Sequence, residues 1–126
     1  MSFADLTRAR YSCRAYEDRP VEPEKLAAIL EAGRIAPSAC NNHSTRVLVC
    51  DTPRLRERAG HAAHHFERDG SVFGAPLVLV VCTKVDTAWV RKYDSMDAGD
   101  IDSSIVCDQM MMQAEDLGLS TCWVCH

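Results

Sequence analysis

The sequence predicts an α+β domain. Helix-period apolar patterns outnumber strand-length apolar runs, and the two do not alternate strictly along the chain. One late helical pattern is apolar nearly all round, which marks a central helix. A chain of 126 residues forms one domain, and its 47% hydrophobic residues can fill a core.

Ser2 followed three residues later by Asp5 reads as a capping box, so the first helix covers residues 3–9. Residues 10–16 read as extended or loop. Pro20 and Pro23 bracket a second helix start, with Glu22 and Glu24 favourable to the helix dipole. Its stripe of Leu26, Ile29, Leu30 and Gly33 ends before Pro37.

Val47-Leu48-Val49-Cys50 predicts a strand, and Asp51-Thr52-Pro53 opens a third helix. Residues 60–74 read as irregular, punctuated by Gly60, Gly70 and Gly74. The apolar run at residues 77–82 predicts a strand buried on both faces. Residues 83–100 read as a polar loop with a turn near Trp89. The longest helix is expected over residues 102–117, with Ile105, Met112 and Leu117 inward and Gly118 as its C-terminal stop. Residues 121–125 read as a last strand.

The net charge of −4 argues against a nucleic-acid or anionic-membrane partner. No apolar run reaches the length of a membrane span, and the opening residues lack the pattern of a signal peptide. The seven cysteines are odd in number and scattered through apolar segments, with Cys50, Cys82 and Cys107 reading as small buried hydrophobes. That usage predicts a reducing, cytoplasmic location.

Four other patterns are weighed and set aside. Cys122-Trp123-Val124-Cys125-His126 has the form of a haem-attachment motif. Its cysteines fall in a strand-like run where i and i+3 face opposite ways. His61, His64 and His65 offer two helix-face imidazoles without an evident third ligand, so no metal is expected. Asp94, Asp97, Asp100 and Asp102 do not follow calcium-loop spacing and read as a solvated loop ending in an Asp102 helix cap. Met110-Met111-Met112 is core filling, because consecutive helical residues cannot converge on one ion.

Two motifs carry chemistry. In an extended segment Arg10, Ser12 and Arg14 share one face, and two guanidiniums with a hydroxyl suit a phosphate or another planar anion. Ala36-Pro37-Ser38-Ala39-Cys40-Asn41 follows at the end of the second helix. Together with Ala75-Pro76, Ile101-Asp102-Ser103-Ser104-Ile105 and Leu117-Gly118-Leu119-Ser120-Thr121-Cys122-Trp123-Val124, their order and spacing resemble the nitroreductase family along essentially the whole chain.

The resemblance implies a central mixed sheet packed between helices. It also implies a homodimer that binds FMN at its interface. Arg10, Ser12 and Arg14 would lie over the flavin phosphate, ribityl chain and pyrimidine edge. Pro37, Ser38, Ala39 and Asn41 would lie over the isoalloxazine of the partner subunit's flavin. A backbone amide near Cys125 would meet flavin N5. The implied activity is hydride transfer from NAD(P)H through FMN to a nitroaromatic, quinone or similar acceptor, with no catalytic side chain required.

Departures from the family pattern leave a flavin-binding homologue without turnover as the alternative. His43-Ser44-Thr45 stands where the family has Gln-Pro-Trp. Family members also continue beyond the equivalent of His126. A C-terminally truncated form is therefore expected, with its last strand beside an uncovered sheet edge, weaker FMN binding and a less stable dimer.

Overall fold

The computed structural model describes residues 1–125. Helix α1 (Phe3–Ala9) starts at the expected capping box: Ser2 Oγ accepts the Asp5 N–H at 3.2 Å, and the Ser2 N–H donates to Asp5 Oδ2 at 3.2 Å. The Ser2 hydroxyl, donating to Asp5 Oδ2 at 2.6 Å, together with the Ser2 N–H, holds the Asp5 carboxyl below its usual range. Helix α2 (Pro23–Arg34) places Pro23 in its first turn, where the missing N–H costs nothing.

Strands β1 (Thr45–Cys50) and β4 (Val78–Thr83) pair antiparallel, from Thr45 opposite Thr83 to Cys50 opposite Val78. Between them, helix α3 (Pro53–Ala62) is capped by Thr52, whose Oγ1 accepts the Leu55 N–H at 3.3 Å. A hairpin of β2 (Glu67–Arg68) and β3 (Ser71–Val72) follows. Helix α4 (Gly99–Asp116) closes the order of elements. No described helix is long and apolar enough to cross a membrane.

The core forms where α2 crosses α4. Ile29, Ala36, Val106, Met110 and Ala114 are buried together, with Val47, Leu79 and Val81 packed on from one face of the β1–β4 pair. Gly33 permits the close approach: a Cβ there would lie 2.9 Å from the Met110 side chain. Gln109 Nε2 donates to the Ala32 carbonyl at 2.8 Å and ties the two helices further.

Several expectations are corrected. β4 is half-buried along its whole length, because α4 covers one face and the opposite face carries the exposed Leu48. Residues 60–74 are more ordered than their glycines suggest: Asp69 (φ 50°) and Gly70 (φ 70°) form a two-residue turn of the kind that closes hairpins. The short turn expected near Trp89 is present at Val85–Thr87. Ile105 is 37% exposed, whereas Val106, Met110, Met111 and Ala114 supply the buried face of α4.

Asp102 does not cap α4. It lies inside the first turn at 1% exposure, and Asp97 Oδ1 takes the Gly99 N–H at 2.6 Å. Residues 121–125 form no strand. Their one ladder contact is a parallel bridge between Thr121 and Ser12, supported by the Cys13 N–H to the Thr121 carbonyl at 2.9 Å. The expected central mixed sheet is therefore corrected: the described strands form two separate antiparallel pairs, β1–β4 and β2–β3, and the parallel Ser12–Thr121 bridge belongs to neither. The α+β class and the long central helix stand as expected.

Candidate functional site

Arg10 ends α1 with an extended backbone (φ −59°, ψ 128°) after donating its N–H to the Leu6 carbonyl. The chain then runs straight enough to bridge Thr121 through Ser12. Cys13 is buried on the inner side, while Ser12 and Arg14 remain exposed. Tyr16 fastens the segment from below by donating its hydroxyl to the Cys13 carbonyl at 2.6 Å. Burial pushes that hydroxyl up to about 12.

Arg14 folds back along the segment. Its Nη1 donates to the Ser12 carbonyl at 3.2 Å, and its guanidinium lies 5.9 Å from the Phe73 ring centre. Arg68, from the hairpin, donates to the Arg14 carbonyl. Among the described residues neither Arg10 nor Arg14 has a carboxylate partner, whereas Arg34 is paired with Glu31 at 2.7 Å and Arg91 with Asp94 at 2.5 Å. Two uncompensated guanidiniums beside an exposed hydroxyl are a donor set for an anionic group.

The second candidate group is a tight loop after α2. Ser38 is extended, Ala39–Asn41 make one 3-10 turn, and Cys40 (φ 51°), Asn41 (φ 57°) and His43 (φ 47°) are left-handed. Asn and His are among the side chains that adopt this region most readily, but for Cys it costs on the order of 1–3 kcal/mol. Such a conformation persists only when neighbours over-determine it.

Hydrogen bonds from neighbouring residues hold this loop. Asp102 Oδ1 accepts the Ala39 N–H at 2.9 Å, and Ser38 Oγ accepts the His43 N–H at 3.0 Å. The His43 Nε2 lies 2.6 Å from Asn41 Oδ1. Asn42 Nδ2 donates to the Thr87 carbonyl at 3.1 Å, and Arg46 Nη1 to the His43 carbonyl at 2.7 Å. Just beyond the loop, Ser44 is fully buried and its Oγ is unpartnered among the described residues.

The third group is the backbone after α4. Cys125 is exposed, and its N–H makes no hydrogen bond among the described residues. His126 lies outside the described residues. The Ser12–Thr121 bridge brings the start of this segment beside Ser12. The Ser38–Asn41 loop is held elsewhere, at the first turn of α4, and no hydrogen bond or ion pair among the described residues joins it to the arginine segment.

Two cavities among the described residues reach neither Arg10, Ser12 and Arg14 nor the Ser38–Asn41 loop. One, of about 500 Å³, lies against Tyr16, Arg56, Asp69 and Ser71. The other, of about 450 Å³, is an open groove along α4 between Phe3, Ile105, Met112 and Trp123.

Sequence reasoning missed two participants. Asp102 read as a cap and is a buried anchor. His43 read only as a departure from a pattern, yet its ring holds Asn41. An acid inside the first turn of a nearly all-apolar helix was the available signal for Asp102.

Comparison with known proteins agrees with the resemblance. The profile of the nitroreductase family matches residues 7–68 and 57–126. A crystal structure of a nitroreductase family protein from Clostridium difficile is 41% identical. The match covers 99% of this chain and 69% of that one, with a TM-score of 0.85. A Desulfovibrio desulfuricans structure in complex with FMN is 28% identical, covering 99% and 69% with a TM-score of 0.77. The FMN reductase [NAD(P)H] of Bacillus subtilis is 28% identical over 87% of this chain. This chain spans between 48% and 62% of the length of the curated relatives it matches.

Proposed function

Because the chain belongs to the nitroreductase family, we propose that it holds FMN and serves electron transfer from NAD(P)H to a small acceptor such as a nitroaromatic or quinone. The observation that carries this reading is the pair of unpaired guanidiniums, Arg10 and Arg14, on a segment pinned to the backbone after α4. When bound, FMN would supply the redox chemistry, accepting a hydride from the nicotinamide and returning it to the acceptor.

The chain's own residues bind and orient. Arg10 and Arg14 would neutralise the phosphate and meet the polar ring edge, with Ser12 between them. The exposed Cys125 N–H would serve as a fixed donor to the ring. Pro37, Ser38, Ala39 and Asn41 would form a wall over the ring system. By the family resemblance, that wall would cover the flavin of a second copy and complete its site. The apolar groove of Phe3, Ile105 and Trp123 supports the same homodimer.

A flavin binder without turnover is the second reading, favoured by the polar His43, Ser44 and Thr45 beside the loop. Purified protein titrated with FMN, then mixed with NADPH or NADH, separates the readings. A yellow complex that bleaches and is re-oxidised by a quinone supports the enzyme. A complex that never bleaches supports the binder, and absence of binding refutes both.

A further inference from the structure

We propose that Asp102 is a positioning residue that holds the Ser38–His43 loop in its flavin-facing shape; the proposal rests on the FMN reading above. Asp102 is 1% exposed, and one carboxylate oxygen takes a single backbone N–H, that of Ala39, 63 residues earlier in the chain. The other oxygen is buried without a partner among the described residues. A carboxylate this deep is poorly satisfied by one bond, so packing alone does not account for it.

Its position does account for it. The first turn of α4 favours negative charge, and the bonded N–H belongs to the residue just before the left-handed pair Cys40 and Asn41. Two backbone bonds close the turn on itself, Asn41 N–H to the Ser38 carbonyl and Asn42 N–H to the Ala39 carbonyl, and the remaining side-chain tethers are exposed: Ser38 to His43, Asn41 to His43, Asn42 to Thr87 and Arg46 to His43. Asp102 ties the strained turn to the core helix. Without that acceptor, the Ala39 N–H loses its partner and Cys40 and Asn41 can relax toward ordinary backbone conformations. Ser38, Ala39 and Asn41 would then no longer present one wall.

The test uses the full chain, with wild type, Asp102→Ala and Asp102→Asn compared by FMN titration and by amide hydrogen exchange across residues 38–43. Asparagine keeps a carbonyl oxygen that can accept from Ala39, whereas alanine does not. The expected result for Asp102→Ala is faster exchange at residues 39–43 and FMN affinity lower by about tenfold, with native circular dichroism at the assay temperature. Asp102→Asn should recover most of both. If Asp102→Ala does not fold, Ala39→Pro takes its place. It deletes the donor at a first-turn position that accepts proline, and it should show the same faster exchange at residues 40–43.

Wild-type exchange and wild-type FMN affinity in a folded Asp102→Ala or Ala39→Pro protein would overturn the proposal. If wild type itself binds no FMN, the flavin reading fails, and the exchange arm still decides the tether. Loosening upholds the tether, and unchanged exchange removes it.

Discussion

Gly33 on α2 faces Met110 on α4 so closely that a Cβ on Gly33 would come within 2.9 Å of the Met110 Cγ and Sδ atoms. That contact sets the distance between the two helices that carry the core. It also places the end of α2, and with it the Ser38–His43 loop, against the first turn of α4.

Gly33→Ala should cost a net of about 0–2 kcal/mol, because overpacking of about 1–3 kcal/mol against the flexible Met110 side chain is offset by about 1 kcal/mol of helix propensity. Met110→Ala should cost about 2–5 kcal/mol through the cavity it leaves. The two are in contact, so in the Met110→Ala background the glycine substitution should cost markedly less, a coupling of about 0.5–3 kcal/mol. Urea denaturation of the four proteins checks this, and strict additivity would show that the contact does not limit the helix approach.

Arg10→Ala should weaken FMN binding by about tenfold or more, because a charge-assisted contact is worth roughly 1.5–3 kcal/mol. Fold stability should hardly change, since the Arg10 side chain has no carboxylate partner to lose. Fluorescence titration with FMN beside a thermal melt separates the two effects. Equal flavin retention in the variant would remove Arg10 from the site.

Gly70→Ala should destabilise the hairpin by about 1–2 kcal/mol. Gly70 holds φ +70°, and a Cβ there would meet nothing within 4 Å, so the cost is backbone conformation alone. Asp69→Asn should be nearly neutral, because Asn accepts the same left-handed geometry. A melting temperature unmoved by Gly70→Ala would mean the hairpin contributes nothing to global stability.

Alkaline stability should depend on Tyr16. Its hydroxyl is raised from 10.0 to about 12 in the folded state, so between those values the folded chain binds the proton more tightly than the unfolded one. The resulting stability is fully present below pH 10 and is lost as pH rises toward 12. Tyr16→Phe should flatten this part of the melting-temperature curve. An identical alkaline slope in both proteins would contradict the assignment.

The proposed dimer is read by light scattering. Wild type should give twice the chain mass, and Ile105→Glu, on the exposed side of α4, should shift it toward the monomer. A monomeric wild type that binds FMN tightly would rule out a composite site.

Local signals were legible wherever one element contained its own reason. The Ser2–Asp5 box set the start of α1, Thr52 and Pro53 the start of α3, and the family order of motifs pointed to the fold. The Asp69-Gly70 hairpin was harder, because two-residue strands have no period to read. The inward face of α4 was harder still. A helix apolar nearly all round carries no direction of its own, so packing against α2 chose Val106 over Ile105.

The sequence by itself determined the α+β class, the main helices, the β1 and β4 runs and the residue types of the candidate site, since these depend on period, caps and short spacings. Tertiary structure decided what depends on a partner far along the chain. Residues 121–125 are apolar enough for a strand, but a strand exists only beside another, and only Thr121 found one, in Ser12. Asp102 looked like a cap until folding brought Ala39 to it across 63 residues and made it the buried end of the loop's anchor.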